Sequence, residues 1–263
     1  MTDTDRFIYK ASPEITALAA SFSDFQYKMH YHEEYALGVT LRGIQQYNLG
    51  GSLQSSYRNG VMLFNPEQAH DGRSYDKAGI DYVMLYIKPE LFAEALGKED
   101  GVRFSAPIVY NYRLERSILN LTNAIFGGRD EALRSELLVE LADSFTPPDL
   151  SAAHPQDDAL TRRAKQMIRD SLGKVLSLDD LSGEFGMSKF RFIRAFKAGA
   201  GVSPYQYFLN CKVERAKQLI ETTRDVYAAV AEYGFVDLTH LNRHFKSIYG
   251  TTALEYLAHL KEL

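Results

Sequence analysis

The sequence has one cysteine, no tryptophan and no long apolar segment among its 263 residues. The single cysteine, Cys211, excludes an internal disulfide bond and a thiolate metal cluster, and it fits a protein of the reducing cytosol. No run of about 18 apolar residues occurs, and the N-terminus MTDTDRF is polar and acidic. We therefore expect neither a membrane span nor a signal peptide, and a soluble cytoplasmic protein.

Apolar residues make up 45% of the chain and charged residues 24%, which is close to the globular average. This balance excludes a collagen-like chain and low-complexity disorder. The length allows one large domain or two smaller ones, each able to bury a core.

The net charge of −4 is unevenly divided along the chain. Residues 159–263 carry 16 Lys and Arg against 11 Asp and Glu, or +5, whereas residues 1–158 carry 14 against 23, or −9. This asymmetry is typical of a basic module that binds a polyanion, although ordinary scatter explains it equally well. The stretch DSFTPPDLSAAHPQDD has three prolines and no apolar periodicity, which predicts a linker. We predict a first domain over residues 1–145, a linker over 146–158 and a second domain over 159–263.

The first half alternates short apolar runs with polar or glycine-containing segments. The clearest runs, rich in Tyr, Val, Leu and Ile, are YALGVTL, GIQQYNL, GVMLF and DYVMLYI. Short strands at this spacing predict a β-sandwich or small barrel, with turns in the segments GGSLQSSYRNG and NPEQAHDGRSYDKAG. Pro89 then opens a predicted helix.

Two further helices are predicted from apolar residues three or four positions apart. The two stripes comprise Leu114, Ile118, Leu121 and Ile125, then Leu133, Leu137, Leu141 and Phe145. These faces cover an open side of the strands or form a dimer interface between two copies of the chain, and both roles could hold for different faces.

The second half contains a repeat with a period of 49 residues. The matched pairs are Phe192 with Leu241, Arg194 with Arg243, Phe196-Lys197 with Phe245-Lys246, Gly201 with Gly250, and Tyr207 with Tyr256. Each copy predicts a short helix, a glycine turn and a second helix capped by Ser188 or Asp237. This helix-turn-helix arrangement places its second helix in the major groove of DNA.

The segment between the copies predicts one longer helix. Ser203 is suited to its N-cap and Pro204 to its first turn. A helix of about 18 residues would form a rod of roughly 27 Å. Such a rod could hold two recognition helices near one turn of B-DNA, about 34 Å.

The repeated segments GMSKFRFIRAFKAGAGVSPYQY and GFVDLTHLNRHFKSIYGTTALEY resemble the AraC/XylS family of bacterial transcription regulators over residues 159–263. The strand half is similar to the cupin-like effector domain of many members, through HYHEEYALGVTLRGIQQY, NPEQAH and YVMLYIKPE. The resemblance implies an α+β chain of two domains: an N-terminal cupin-like β-barrel with helices and a C-terminal all-α domain with tandem helix-turn-helix units. Two residues depart from the family pattern: Ala253 replaces a proline and Val230 replaces a small residue.

The outward faces of the two second helices form the predicted DNA-reading surface. Arginine pairs with guanine and asparagine with adenine, so Arg194, Arg243 and Asn242 are predicted to contact bases, and Phe190 and Leu238 thymine methyl groups. The lysines are predicted to contact phosphates. The complete set is Lys189, Phe190, Ile193, Arg194, Lys197, Leu238, Thr239, Asn242, Arg243 and Lys246. For each arginine the alternative is a salt bridge within the domain.

Three histidines of the first half suggest a metal site, because a cupin barrel can place His30, His32 and His70 around one ion. Metal cupins usually carry a glutamate four or five residues after the second histidine, where this chain has Ala36 and Leu37. We therefore expect structural or ligand-facing histidines, no metal and no cofactor. The candidate effector-binding residues are His30, His32, Tyr35, Arg42, Tyr47, His70, Tyr82 and Tyr86.

Together these patterns predict a non-enzymatic, sequence-specific DNA-binding regulator, more often an activator in this family. A small-molecule effector is expected in the barrel. The other expected partners are double-stranded DNA, a second copy of the chain and RNA polymerase. No Gly-x-Ser-x-Gly, phosphate-binding glycine loop or His-Glu-x-x-His motif occurs. The alternative is a metal-dependent cupin enzyme fused to a DNA-binding module.

Overall fold

The computed structural model describes residues 5–12, 14–99, 101–152, 158–173 and 175–261. These residues form two compact units, of which the first contains most of residues 5–152 and the second most of residues 158–258. Among the described helices, none combines the length and the apolar content needed to cross a bilayer.

The first unit consists of β-strands, three α-helices and one 3-10 turn. Its strands are β1 (Arg6–Ala11), β2 (Ile15–Phe22), β3 (Gln26–His30), β4 (Tyr35–Arg42), β5 (Gln45–Leu49), β6 (Ser52–Ser56), β7 (Val61–Phe64), β8 (His70–Ser74), β9 (Ile80–Ile87), β10 (Val102–Phe104), β11 (Ile108–Val109) and β12 (Leu150–Ala152). Its helices are α1 (Pro89–Ala95), α2 (Tyr112–Phe126) and α3 (Glu131–Asp143), and the 3-10 turn covers Pro147–Asp149. The strands form a six-stranded sheet in the order β1-β2-β9-β4-β7-β11, a four-stranded sheet in the order β3-β8-β5-β6, and the pair β10-β12.

The four predicted strands are confirmed as β4, β5, β7 and β9, and the helix at Pro89 as α1. Two predicted turn segments are corrected, because each contains a strand: β6 lies in GGSLQSSYRNG and β8 in NPEQAHDGRSYDKAG. Both strands are rich in polar residues, and β6 is the edge of its sheet. An edge strand can expose polar side chains, so hydrophobic alternation does not reveal it.

Strand β4 shows how the six-stranded sheet divides its two faces. Tyr35, Leu37 and Val39 point to one face and belong to a core that includes α2 and α3. In α2 the predicted stripe of Leu114, Ile118, Leu121 and Ile125 is buried in this core, so one proposed role of that stripe, covering the strands, is confirmed. The α3 stripe only partly follows the prediction, because Leu141 is buried whereas Leu133 is 40% exposed.

The opposite face of β4 is closely approached by its neighbours. A Cβ atom on Gly38 would lie 2.8 Å from the backbone carbonyl oxygen of Val83, and also 2.8 Å from the Sδ and Cε atoms of Met84, so packing against the neighbouring strand favours glycine there. The Thr40 hydroxyl is 2.8 Å from the Ser56 hydroxyl of β6, which links this face to the four-stranded sheet. The space between the two sheets is therefore the interior of the first unit.

The predicted linker is partly built into the first unit. Strand β12 pairs with β10, with Leu150 opposite Phe104 and Ala152 opposite Val102. Residues 153–157 of the predicted linker lie outside the described residues. The domain boundaries at residues 145 and 159 stay predictions.

From residue 158 onward the described chain is helical. Here its helices are α4 (Ala159–Asp170), α5 (Leu178–Glu184), α6 (Lys189–Ala200), α7 (Pro204–Thr223), α8 (Val226–Glu232), α9 (Leu238–Tyr249) and α10 (Ala253–Lys261). The predicted N-caps are confirmed: Ser188 accepts from Arg191 N–H, Asp237 from His240 N–H, and Ser203 from Gln206 N–H. Helix α7 has 20 residues, so the rod is about 30 Å long.

The 49-residue repeat is present in the structure. Helices α6 and α9 each have 12 residues and begin 49 positions apart. Each ends at a glycine, Gly201 or Gly250, that has a φ of 75°, in the left-handed region where glycine is favoured. The inward residues are buried as predicted, including Phe196 and Phe245 at 0% exposure.

The second copy differs from the first in its opening helix. Helices α5 and α8 both have seven residues, but α8 begins at Val226, one residue before the position that lies 49 residues after Leu178, the first residue of α5. The connection to α9 is consequently one residue longer. The small buried side chain at the helix crossing is Ala229, whereas Val230 is only half-buried, and this explains how the chain accepts a valine at that position.

Candidate functional site

Helix α6 presents a basic face with one aromatic residue. Arg194 and Lys197 are exposed, Phe190 is 68% exposed, and Ile193 is half-buried. Capping by Ser188 fixes where this helix begins, and burial of Phe192 and Phe196 fixes its rotation. The exposed ring of Phe190 adds an apolar surface to this basic face.

Among the described residues, Lys189 is the one predicted α6 residue with an ion pair in the second unit. Its Nζ lies 2.8 Å from Oδ1 of Asp179 in α5. Both side chains are substantially exposed, so the pair contributes little to stability. It ties the first turn of α6 to the preceding helix of the same helix-turn-helix unit.

Helix α9 presents the corresponding face of the second copy. Thr239, Arg243 and Lys246 are exposed, and Leu238 is half-buried. Arg194 and Arg243 are thus both exposed at equivalent positions of the repeat. The alternative of a salt bridge within the domain has no support for Arg194 or Arg243 among the ion pairs of the described residues.

Asn242 has a structural bond that the sequence did not indicate. Its Oδ1 accepts a hydrogen bond of 3.0 Å from the backbone N–H of Ala253, the first residue of α10. Proline has no N–H, so this bond exists because the chain has alanine where the family pattern has proline. The predicted contact between Asn242 and adenine is untested, and it would compete with this bond for Oδ1.

Two histidines on α9 were not recognised from the sequence. Nε2 of His240 and Nε2 of His244 are 3.1 Å apart, one helical turn from each other. Burial, with further contributions from His240 and Arg243, lowers the pKa of His244. The spacing of four residues was a usable signal, because side chains at i and i+4 meet on a helix.

A buried charged network joins α7 to the second helix-turn-helix unit. Lys217 Nζ lies 3.6 Å from Oε1 of Glu214 and 3.6 Å from Oε1 of Glu221. The hydroxyl of Tyr249, at the end of α9, donates to Glu214, and the hydroxyl of Tyr256, in α10, donates to Glu221. Helices α7 and α9 are therefore connected by charged hydrogen bonds as well as by apolar packing.

Most of the predicted effector-binding residues come together between the two sheets of the first unit. The His70 ring stacks on Phe64 with centroids 4.3 Å apart, and Phe64 in turn contacts Tyr47 at 4.9 Å. On the other side, the His32 ring is 5.5 Å from His70 and 4.8 Å from Tyr86. Burial lowers the pKa of His70 to about 4 and raises that of Tyr47, because the charged form of each is desolvated.

The three histidines predicted as a group converge in space. One ring nitrogen from each of His30, His32 and His70 lies within 4.8 Å of the others, and all three residues are buried. Tyr82 is also buried, and its ring meets Phe22 at a centroid distance of 6.2 Å.

Two predicted effector residues lie away from this interior, which corrects their placement. Tyr35 points to the helix-covered face of β4, where its hydroxyl donates to the carbonyl of Val102, and burial raises its pKa. Arg42 is exposed. Its guanidinium is held there by two hydrogen bonds to the carboxylate of Asp81, at 2.6 and 3.0 Å, and by a third to the backbone carbonyl of Ala78. Sequence alone could not show either partner.

Comparison with protein families assigns a description to each unit. The AraC-like ligand binding domain matches residues 12–142, and a helix-turn-helix domain matches residues 181–259. The predicted fold is thereby confirmed as an N-terminal cupin-like β-rich domain followed by a C-terminal helical domain with helix-turn-helix units.

Characterised and uncharacterised relatives share this organisation. The arabinose operon regulatory protein of Salmonella typhimurium is 24% identical over 85% of this chain and 83% of its own length. The uncharacterised transcriptional regulator YbfI of Bacillus subtilis is 24% identical over 81% of this chain and 80% of its own. Among solved structures, apo ToxT from Vibrio cholerae superposes with a TM-score of 0.63 at 12% identity, covering 95% of this chain and 99% of its own.

Proposed function

We propose that this chain, which belongs to the AraC family of transcription regulators, reads neighbouring major-groove segments of one DNA duplex through α6 and α9. The observation that carries the proposal is the exposure of Arg194 and Arg243 at equivalent positions of two helix-turn-helix units. The rod α7, about 30 Å long, matches the scale of one B-DNA turn, roughly 34 Å. Arginine at such a position forms two hydrogen bonds with guanine O6 and N7.

The test begins with selection of bound sequences from random DNA and from the genome of origin. Affinity of the full chain for the selected duplex is then measured for Arg194→Ala, Arg243→Ala and, as a control for loss of one positive charge, Arg129→Ala in the exposed loop after α2. Arg194→Ala and Arg243→Ala should each lose about 1–3 kcal/mol of binding free energy and should accept any base at one position of the site. Arg129→Ala should change neither the affinity nor the base preference.

The phosphate contacts predict a different pattern. Lys197→Ala and Lys246→Ala should weaken binding about equally on specific and random DNA, and each should reduce the dependence of log Kd on log salt by about one unit. If the arginine variants behaved like these lysine variants, the assignment of arginines to base reading would be rejected.

We infer further that the interior of the first unit binds a small organic effector. Supporting this, the interior is lined by aromatic rings with a few polar groups, which is typical of small-molecule sites. One ToxT structure with this fold, at 14% identity and a TM-score of 0.60, is described as bound to an unsaturated fatty acid, so fatty acids belong in the screen beside sugars and amino acids. A ligand at 100 times its Kd should stabilise the chain by about 2.7 kcal/mol in a thermal-shift assay.

The effector can regulate only if it binds one functional state more tightly than the other. We propose that the outcome is activation through contact with RNA polymerase, and that two copies of the chain pair through α2 and α3. Leu133 and Val139 on α3, which are 40% and 48% exposed, are apolar residues that this pairing would cover. Light scattering of the full chain should give a mass twice that of one 29.8 kDa chain, and Val139→Glu should reduce the measured mass to that of a single chain.

A further inference from the structure

The turn between α8 and α9 is one residue longer than the turn between α5 and α6. Each turn contains a glycine with positive φ, Gly186 at 59° and Gly234 at 61°. In the first copy, Met187 alone lies between this glycine and the N-cap of α6. In the second copy, Phe235 and Val236 lie between the glycine and the N-cap of α9. The second copy therefore has an additional residue just before its recognition helix.

The backbone hydrogen bonds identify Val236 as the additional residue. The N–H of Met187 donates to the carbonyl oxygen of Ser182 at 3.0 Å. The N–H of Phe235 donates to the carbonyl oxygen of Val230, also at 3.0 Å and also five positions earlier. A bond of this kind closes the end of a helix that is followed by a glycine with positive φ. Phe235 thus takes the place of Met187, and Val236 is inserted between the closed turn and α9.

The first turn of α9 holds the backbone of the inserted residue. The N–H of Val236 donates to Nδ1 of His240 at 3.4 Å. The His240 ring packs against Phe235, with centroids 5.6 Å apart, and against His244, at 4.8 Å. An Nδ1 that accepts leaves the hydrogen of a neutral ring on Nε2, which lies 3.1 Å from Nε2 of His244. Val236 is therefore held by a ring that is itself held on both sides.

The side chain of Val236 lies in solvent next to the start of α9. It is 85% exposed, and it precedes the N-cap Asp237 and the first helical residue, Leu238. The N-terminal residues of a recognition helix are the ones that contact base edges in the major groove. The predicted DNA-reading residues of this copy begin at Leu238, so Val236 lies just outside that set. Its place and exposure extend the reading surface by one apolar side chain.

We propose that Val236 is a further specificity-determining residue, which contacts the C5-methyl group of one thymine in the segment read by α9, and that His240 is its positioning residue. The inference rests on the proposed reading of DNA by α9. Valine has neither a donor nor an acceptor in its side chain, so it does not pair with the polar base edges. In the major groove the thymine methyl group is the feature that apolar side chains recognise. Because the first copy has no inserted residue between Met187 and its N-cap, the contact belongs to the α9 segment alone.

The test uses the full chain and the duplex selected from random DNA. Each thymine is replaced in turn by deoxyuridine, which removes the C5-methyl group and leaves the hydrogen-bonding groups of the base unchanged. We expect about fourfold weaker binding at the thymine that Val236 contacts, the effect of exposing one buried methyl-sized group. Val236→Ala should lose sensitivity to deoxyuridine at that thymine and retain it at every other. Such non-additivity between a protein change and a DNA change identifies a direct contact.

The matched control is Val175→Ala. Val175 is 92% exposed and precedes α5, so the substitution removes the same two methyl groups from another exposed site in the second unit. This variant should keep the native affinity and every deoxyuridine effect. Thermal unfolding of Val236→Ala should match that of the native chain, because the side chain that is removed contributes little to the fold.

Two variants of His240 test its positioning role. His240→Leu removes the acceptor for the Val236 N–H, whereas His240→Asn keeps an acceptor, Oδ1, as many bonds from Cβ as Nδ1. His240→Leu should abolish the deoxyuridine effect at the assigned thymine, and His240→Asn should restore it. A merely structural role would lower the affinity of both variants and leave that position-specific effect intact, and this result would reject the positioning role.

The outcomes separate this inference from the proposed function. If Val236→Ala retains every deoxyuridine effect, or loses one at a thymine in the segment read by α6, the inference is overturned, even where Arg243→Ala relaxes base choice as proposed. If Arg243→Ala leaves base choice intact but Val236→Ala loses its sensitivity at one thymine of the α9 segment, the role of Arg243 is rejected and the inference stands. A full chain that selects no sequence from random DNA rejects both.

Discussion

Replacement of Lys217 by methionine tests the buried charged network of the second unit. The Lys217 side chain is 6% exposed, and its neighbours Glu214 and Glu221 are 4% and 26% exposed. Methionine keeps the length and the apolar stem of lysine but removes the charge. The substitution therefore takes away a cation that lies between two carboxylates, with little change in packing volume.

The magnitude follows from the distances. Each carboxylate oxygen lies 3.6 Å from Lys217 Nζ. At an effective dielectric constant of about 20, a unit pair at that distance attracts by roughly 4–5 kcal/mol. Desolvation of the lysine offsets much of this attraction, but removing one partner of a buried pair typically costs about 3–5 kcal/mol, since the other charge loses its compensation. We expect Lys217→Met to lower the free energy of unfolding by about 3–5 kcal/mol.

The assay is urea unfolding of the full chain, followed by the helical signal in circular dichroism. With a slope of about 1–3 kcal/mol per molar urea, the midpoint should fall by more than about 1 M. The double variant Glu214→Gln/Lys217→Met should be more stable than Lys217→Met alone, because it no longer buries the uncompensated carboxylate. A loss below about 1 kcal/mol in the single variant, or an additive loss in the double variant, would refute the reasoning.

Three further predictions follow from individual contacts. Gly38→Ala should lower the free energy of unfolding by about 1–3 kcal/mol, because the added methyl group overpacks the sheet interior. In the control Gly183→Ala, in α5, the new Cβ meets nothing within 4 Å, so thermal unfolding should show no change or a stabilisation of up to about 1 kcal/mol. Glu255 accepts a hydrogen bond from the Thr252 backbone N–H, which lowers the pKa of its carboxyl group below 4.5. The stabilisation from this carboxylate is therefore present above pH 4.5 and is lost as the pH falls through the lower pKa of the folded state. The difference in stability between the native chain and Glu255→Gln should shrink between about pH 6 and pH 3, and a constant difference would contradict the prediction. Asn242→Ala should lower stability by about 0.5–1.5 kcal/mol through loss of its bond to α10, and unchanged stability with relaxed base choice at one position would show that Asn242 serves DNA reading instead.

The elements with strong local signals were predictable from the sequence. The repeat specified α6 and α9 to the residue, because the capping side chains, the inward phenylalanines Phe196 and Phe245, and the terminal glycines recur at the same 49-residue spacing. The longest apolar strands, β4 and β9, were equally clear. In these segments local preference and tertiary packing favour the same structure, so the pattern alone is sufficient.

The remaining strands have no comparable local signal. Strands β1 and β2 lie before the first predicted strand, YALGVTL, and β8 reads HDGRS, with no apolar side chain. Such segments become strands because a neighbouring strand supplies hydrogen-bond partners, and β8 obtains them from β5. Pairing of this kind depends on tertiary context, which a single sequence does not show.

The candidate sites show the same limit for side chains. Arg42 was predicted to bind an effector because a cationic side chain suits a carboxylate-bearing ligand, but Asp81, 39 residues away in sequence, pairs with it on the exposed side. Asn242 was assigned to adenine from its place on the helix face, but Ala253 supplies a nearer partner. Which group satisfies a polar side chain is decided by long-range packing.

The two helix-turn-helix units are therefore unequal in how firmly their second helices are held. In the part of the chain that the structure describes, helix α6 is held by apolar packing and by one solvent-exposed ion pair, Lys189 with Asp179, which contributes little to stability. Helix α9 has, in addition, the Asn242 bond to α10 and the buried link from Tyr249 to Glu214. Hydrogen bonds to charged groups contribute roughly 1.5–3 kcal/mol each, more than neutral ones. Among the described residues α6 thus has fewer polar bonds to its neighbours than α9, and hydrogen exchange of the full chain should show lower protection in α6 than in α9.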